Sequence, residues 1–171
     1  EAAYFWEERN RWFSDVWTEV TGELQTLEND ELRERSAAYP LEIPYRLICM
    51  YSAYEDTVLD PFWGTGTTTL AAMCAGRNSV GVELESAFLE TFDDRIAAVP
   101  SLSRSVGRTR LERHREFVER RREAGKSLEY EADHYETPVV TAMEQEIQLW
   151  EVREVADTDE GYRAEHAPLL E

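Results

Sequence analysis

Asp60, Gly64, Gly66, Thr67 and Glu83 are the residues whose types and spacing could do chemistry. The stretch from Val58 to Thr69 reads as a buried strand ending at Asp60, a tight turn, and the start of a helix. Gly64 and Gly66 let the backbone fold sharply and come close to a ligand. The threonines that follow can cap a helix whose free N–H groups face that ligand. A second short strand, Ser79 to Glu83, follows after one helix and ends in a carboxylate. Turn, helix, strand and terminal acid together make half of a nucleotide-type binding site.

Two common phosphate sites are disfavoured at once. A Walker-type loop needs a lysine after its final glycine, and Thr67 stands there. A dinucleotide fingerprint needs a third glycine where Thr69 stands. A carboxylate at Glu83 can instead accept hydrogen bonds from both ribose hydroxyls of an adenosine, and nothing in the loop demands phosphate. Adenosine with a zwitterionic tail, as in S-adenosyl-L-methionine, fits. A strand-to-helix turn without a ligand would leave Glu83 and the lead-in Asp60-Pro61-Phe62 unexplained.

The elements that must position these residues follow from pattern. Tyr39-Pro40-Leu41-Glu42-Ile43 is an extended corner, and Pro44 suits the first turn of a helix running to about Ala53, with Leu47, Ile48 and Tyr51 on one face. A strand spans Thr57 to Asp60. A helix spans Thr67 to Ala75, with Gly76 placed to end it. Ser86 can cap the next helix, which packs through Phe88, Leu89, Phe92 and Ile96 and stops at Pro100. This β-α-β-α order implies a parallel sheet with right-handed crossovers.

The flanks differ in character. Phe13, Val16, Trp17 and Val20 fall at helical spacing and read as core, although such a cluster could stack bases. Residues 22–36 are a polar, acidic loop. Eight arginines lie between Arg104 and Arg122, interleaved with Glu112, Glu116 and Glu119. The region is a solvated helix laced with pairs such as Glu116–Arg120 and Glu119–Arg122, or a basic strip facing phosphate, with Arg104, Arg108, Arg110 and Arg113 as candidate contacts. Thr141-Ala142-Met143-Glu144 is a capping box that opens a helix bearing Ile147, Trp150 (or Leu149) and Val155. Residues 157–171 read as an acidic, frayed tail. The expected organisation is an N-terminal helix and loop over 1–36, an α/β core over 37–100, and an Arg-rich, helical extension over 101–171.

Composition bounds the rest. With 171 residues, 42% of them hydrophobic, the chain can bury a core in one domain or a domain plus an appendage. No apolar run reaches the roughly 18 residues that a membrane span needs. No charged-then-apolar leader follows Glu1, and the lack of an initiator methionine suggests a piece of something longer. Cys49 and Cys74 read as buried thiols in a reducing cytoplasm rather than a disulfide. No metal-ligand cluster is evident. The net charge is −18, and Lys126 is the only lysine. That balance looks like the proteome of a salt-loving microbe, whose salt screens such a surface. It also counts against tight nucleic-acid binding by this chain alone at low salt.

The run from Ala37 to Glu83 resembles the C-terminal half of amino-group DNA methyltransferases, which methylate N4 of cytosine or N6 of adenine. The segments that carry the resemblance are Tyr39-Pro40-Leu41-Glu42-Ile43, Asp60-Pro61-Phe62-Trp63-Gly64-Thr65-Gly66-Thr67-Thr68, Ala71-Ala72, Gly76-Arg77 and Gly81-Val82-Glu83. It implies a partial Rossmann-like methyltransferase fold, DNA as partner and S-adenosyl-L-methionine as cofactor. Phe62, Gly64, Gly66 and Thr67 would wall the cofactor's methionine and sugar, with Pro61 and Thr65 in the same lining. Asp60 would anchor the turn near the methionine amine, Glu83 would hold the ribose, and Tyr39 and Pro40 would cover the methionine end. The family's catalytic loop, an acid or amide followed by Pro-Pro and an aromatic, is absent, since no two of the six prolines are adjacent. The resemblance therefore implies no catalytic residue in this chain and a missing N-terminal half or partner chain. A non-catalytic cofactor-binding or regulatory subunit is the alternative, and a methyltransferase acting on RNA or a small molecule is a third reading.

Overall fold

A computed structural model describes residues 4–22 and 39–170. Most of the acidic loop expected over 22–36 lies outside the described residues. The elements run α1 (Trp6–Trp12), α2 (Glu42–Tyr51), β1 (Thr57–Asp60), α3 (Thr67–Ala75), β2 (Asn78–Gly81), α4 (Ala87–Ile96), α5 (Val99–Glu123), β3 (Tyr130–Glu131), β4 (Pro138–Val139), a 3-10 turn (Ala142–Glu144), β5 (Trp150–Thr158) and β6 (Gly161–Pro168).

Strands β1 and β2 pair in parallel, Thr57 opposite Asn78 through Asp60 opposite Gly81. Helix α3 makes the crossover. It is buried on nearly every side, which its Thr, Ala, Leu, Met and Cys residues allow. Gly76 ends it in the left-handed region at φ 71°. Val58 packs inward against α3, together with Ile48, Cys49, Ala71 and Ala72. On the opposite face of the sheet Leu59 is 63% exposed, and its register partner Val80 is 52% exposed.

Four sequence expectations are corrected. Helix α1 ends at Trp12, and Phe13 and Val16 are exposed rather than core. The chain turns there because the Trp17 indole N–H donates to the Trp12 carbonyl (2.9 Å), closing the helix end with a side chain. The buried stripe of α2 is Tyr45, Ile48 and Cys49, while Leu47 and Tyr51 face out. Pro100 does not stop α4. It sits in the first turn of α5, where its missing N–H costs nothing.

The fourth correction is the largest. The capping box at Thr141 forms, with the Thr141 N–H and hydroxyl both reaching Glu144 Oε2 at 2.7 and 2.8 Å, but only a single 3-10 turn follows. Residues 150–168 form an antiparallel hairpin instead of a helix and a frayed tail. The hairpin is fastened to the helices: the Val152 N–H donates to Ser103 Oγ (2.8 Å), and Arg104 pairs with Glu151 (2.7 Å). One core cluster joins Trp63, Leu70, Met73 and Phe92 to Val99 and Val152. The packed core thus crosses the boundary drawn at residue 100. The pairs Glu116–Arg120 (3.7 Å) and Glu119–Arg122 (2.7 Å) form along α5 as spacing predicts. Cys49 and Cys74 are free and buried, and burial pushes the Cys74 thiol up to about 12.

A second core cluster holds Phe5, Leu111, Tyr135, Val139 and Leu149. Beside it His114 is fully buried and stacked on Phe5 with ring centroids 4.1 Å apart. Its Nδ1 lies 2.8 Å from Glu7 Oε1, and its Nε2 lies 3.0 Å from the Pro138 carbonyl. Burial alone would lower its pKa. The hydrogen bonds and charge of Glu7, with the Pro138 carbonyl, outweigh burial and hold it above the ordinary 6.5. A raised folded pKa contributes stability that is complete below the unfolded value and is lost as pH rises through the folded one. Urea unfolding at pH 6 and pH 9 should therefore show the wild type losing stability with rising pH. His114→Gln should flatten that dependence.

Candidate cofactor site

The turn after β1 is built by its own side chains. Asp60 Oδ1 accepts the Phe62 N–H at 3.0 Å, an Asx turn. The Trp63 N–H donates to the Val82 carbonyl (3.0 Å), carrying the ladder past the end of β1. Gly64 and Gly66 then take φ of +52° and +75°, which other residues adopt only with strain. Gly66 is the N-cap of α3.

Glu83, just beyond β2, faces this turn. Its Oε2 accepts the Gly64 N–H at 2.7 Å, and its Oε1 accepts the N–H groups of Leu84 and Glu85 at 2.9 Å each. Asp60 Oδ2 is buried without a hydrogen-bond partner among the described residues. A buried carboxylate oxygen left open is costly, and an ammonium or N–H donor is the group that satisfies it. The Phe62 ring stands 89% exposed beside it. Tyr39 reaches the first turn of α3, with its hydroxyl 2.8 Å from Thr68 Oγ1. Thr67 is buried, Thr65 is half-buried and Pro61 is exposed. Pro40 lines a different cleft, between α1, α2 and α5.

The two glycines serve different ends. A Cβ on Gly64 would meet nothing nearer than the Phe62 carbonyl at 3.9 Å, so this face of the turn is open. A Cβ on Gly66 would lie 2.4 Å from the Phe92 ring and 2.8 Å from Trp63. Gly66 is therefore required by packing. Trp63 itself is buried, with its indole N–H on Thr69 Oγ1 (2.8 Å) and its ring 4.6 Å from that of Phe92. Arg95, from the last turn of α4, reaches back to the Thr65 carbonyl at 2.5 Å and to Thr67 Oγ1 at 3.2 Å. Sequence reasoning missed Trp63 and Arg95. A tryptophan inside a glycine turn was the one available signal. Arg95 had none.

Residues 1–94 match the family model N6_N4_Mtase, described as DNA methylase. The chain belongs to the DNA methylase family. Over 150 residues it is 51% identical to the type II methyltransferase M.MthZI of Methanothermobacter thermautotrophicus, covering 88% of this chain and 41% of that protein. Over 95 residues it is 47% identical to M.MjaI of Methanocaldococcus jannaschii, covering 56% of this chain and 30% of that one. A DNA modification methylase of Thermus thermophilus, solved in complex with S-adenosyl-L-methionine, is 34% identical over 54% of this chain and 32% of its own, with a TM-score of 0.43. The chain thus spans about two fifths of the length of M.MthZI.

The arginines of this methylase chain are mostly engaged. Arg110 is buried and doubly bonded to Glu8, so it is withdrawn from the set expected to meet phosphate. Arg104 is held by the buried Glu151, and Arg113 lies 3.6 Å from Glu42. Arg108 is exposed. Among the described residues no group of three or more His, Cys, Asp or Glu is placed to hold a metal ion. No helix among them is long and apolar enough to cross a membrane.

Proposed function

We propose that this chain is the donor side of an S-adenosyl-L-methionine-dependent DNA methyltransferase of the type II, restriction-modification kind, acting on N4 of cytosine or N6 of adenine. The observation that carries the reading is the pair of carboxylates bracketing the open face at Gly64: Glu83 on the turn at 2.7 Å, and Asp60 with one buried oxygen unpartnered. These groups fit the cofactor. Bound there, it supplies an electrophilic methyl on a sulfonium. Glu83 Oε2 accepts from a ribose hydroxyl with the lone pair that the Gly64 N–H leaves. Asp60 Oδ2 takes the methionine ammonium, and Phe62, Thr65 and Thr67 wall the cleft. The protein's contribution is alignment. The oxygens that would accept the target amine's hydrogens belong to a Pro-Pro loop this chain does not contain.

In this reading the chain is the C-terminal, cofactor-binding half, with a partial Rossmann-like sheet that other polypeptide completes. Parallel sheets are covered on both faces, and the exposed Leu59, Val80 and Val82 leave one face of β1 and β2 to be covered. DNA phosphates would meet Arg108 and Arg113, the candidates that remain exposed. A net charge of −18 with a single lysine supports a halophile's cytoplasm. The alternative is a non-catalytic cofactor-binding subunit, which the lack of adjacent prolines supports only where no further polypeptide supplies that loop. Calorimetry in molar KCl should show the isolated chain binding S-adenosyl-L-methionine, and a labelled-methyl assay should show no transfer to DNA. Absence of binding would contradict the proposal, and robust transfer by the chain alone would contradict the donor-side assignment.

A further inference from the structure

Arg95 reaches the glycine turn from α4 and grips it opposite Glu83. Its Nη1 lies 2.5 Å from the Thr65 carbonyl and 3.2 Å from Thr67 Oγ1, while Glu83 holds the Gly64 N–H at 2.7 Å. The bond it makes fixes a soft joint. The peptide between Thr65 and Gly66 precedes a glycine at φ +75°, and glycine accepts either sign of φ. Rotation of that peptide plane would open the turn that the Gly66 N–H closes. The Gly66 N–H, now donating to the Trp63 carbonyl at 2.9 Å, would turn with it. A charge-assisted hydrogen bond on the Thr65 carbonyl is about twice as strong as a neutral one and sets that plane. Arg95 is half-buried, and its guanidinium reaches the Thr65 carbonyl and the Thr67 hydroxyl of the turn.

We propose that Arg95 is a positioning residue for the methyl donor: its guanidinium locks the Thr65–Gly66 peptide and the Thr67 hydroxyl in the conformation that receives the methionine end. This rests on the cofactor reading above and assigns a group outside the turn to it. A preorganised turn saves the cost of ordering it on binding.

The test is calorimetric titration of wild type, Arg95→Ala and Arg95→Lys with S-adenosyl-L-methionine in molar KCl, with thermal unfolding of each. Arg95→Ala should bind roughly tenfold more weakly, the ratio set by losing one charge-assisted bond. Its unfolding midpoint should fall by only a few degrees, as for one hydrogen bond lost in a chain of this size, and tens of millimolar guanidinium should restore part of the affinity. Arg95→Lys should fall between the two. Wild-type affinity in Arg95→Ala would overturn the proposal, as would a loss that tracks a lowered unfolding midpoint and resists rescue. Failure of the wild type to bind would instead remove the cofactor reading, and this inference with it.

Discussion

Arg110→Ala is expected to destabilise the protein by about 3–5 kcal/mol, the usual cost of removing one partner from a buried ion pair. The guanidinium donates to both oxygens of Glu8 at 2.7 Å each and to the Tyr45 hydroxyl at 2.9 Å. It also lies over the Trp12 ring, 5.2 Å from the centroid. Burial alone would lower its pKa, but the Glu8 charge and hydrogen bonds raise it well above the ordinary value. Truncation would strand a buried carboxylate, with the Phe5 N–H still on Glu8 Oε2. At about 2–4 °C per kcal/mol for a chain of this size, the melting midpoint should fall by roughly 6–20 °C. Glu8→Ala should do comparable damage. The double change Glu8→Leu, Arg110→Met should recover most of the loss, because replacing both charges leaves neither unpaired. A single truncation that moves the midpoint by less than about 2 °C would mean that water reaches the pair.

Arg110 marks where local pattern gives out. Charge periodicity places it on α5 among exposed arginines, and nothing local says that α1, far away in the chain, brings Glu8 against it. The turn was different. Asp60, Gly64, Gly66 and Glu83 are close in sequence and joined by a single crossover, so their meeting follows from the β-α-β pattern alone. Helix α3 was legible for a similar reason, since its apolar run is closed by Gly76. The hairpin of β5 and β6 was not legible. Its capping box is real, but Trp150, Val152 and Val155 are β-branched or aromatic, and Val152 and Val155 pack as strand residues in the cluster with Met73 and Phe92. Gly66 was legible as a glycine but not in its purpose, because the Phe92 and Trp63 rings that exclude a side chain there come from another helix and from within the turn itself.

Glu83 decides whether the turn can hold the cofactor. Its carboxylate already spans the N–H groups of Gly64, Leu84 and Glu85, so it is pinned at the mouth of the turn before any ligand arrives. Hydrogen bonds to a charged acceptor contribute about 1.5–3 kcal/mol each, so losing the carboxylate should weaken S-adenosyl-L-methionine binding by roughly 10- to 100-fold. Glu83→Ala removes both the ribose acceptor and the brace on Gly64. Glu83→Gln keeps the size, loses the charge and turns an NH2 toward either the Gly64 N–H or the Leu84 and Glu85 N–H groups, so it too should bind more weakly. The exposed Glu90 on α4 serves as the control for net charge. Calorimetric titration of these variants in molar KCl is the decisive measurement. Weaker binding in both Glu83 variants with Glu90→Ala unchanged is the predicted result, and wild-type affinity in Glu83→Gln and Glu83→Ala would contradict it.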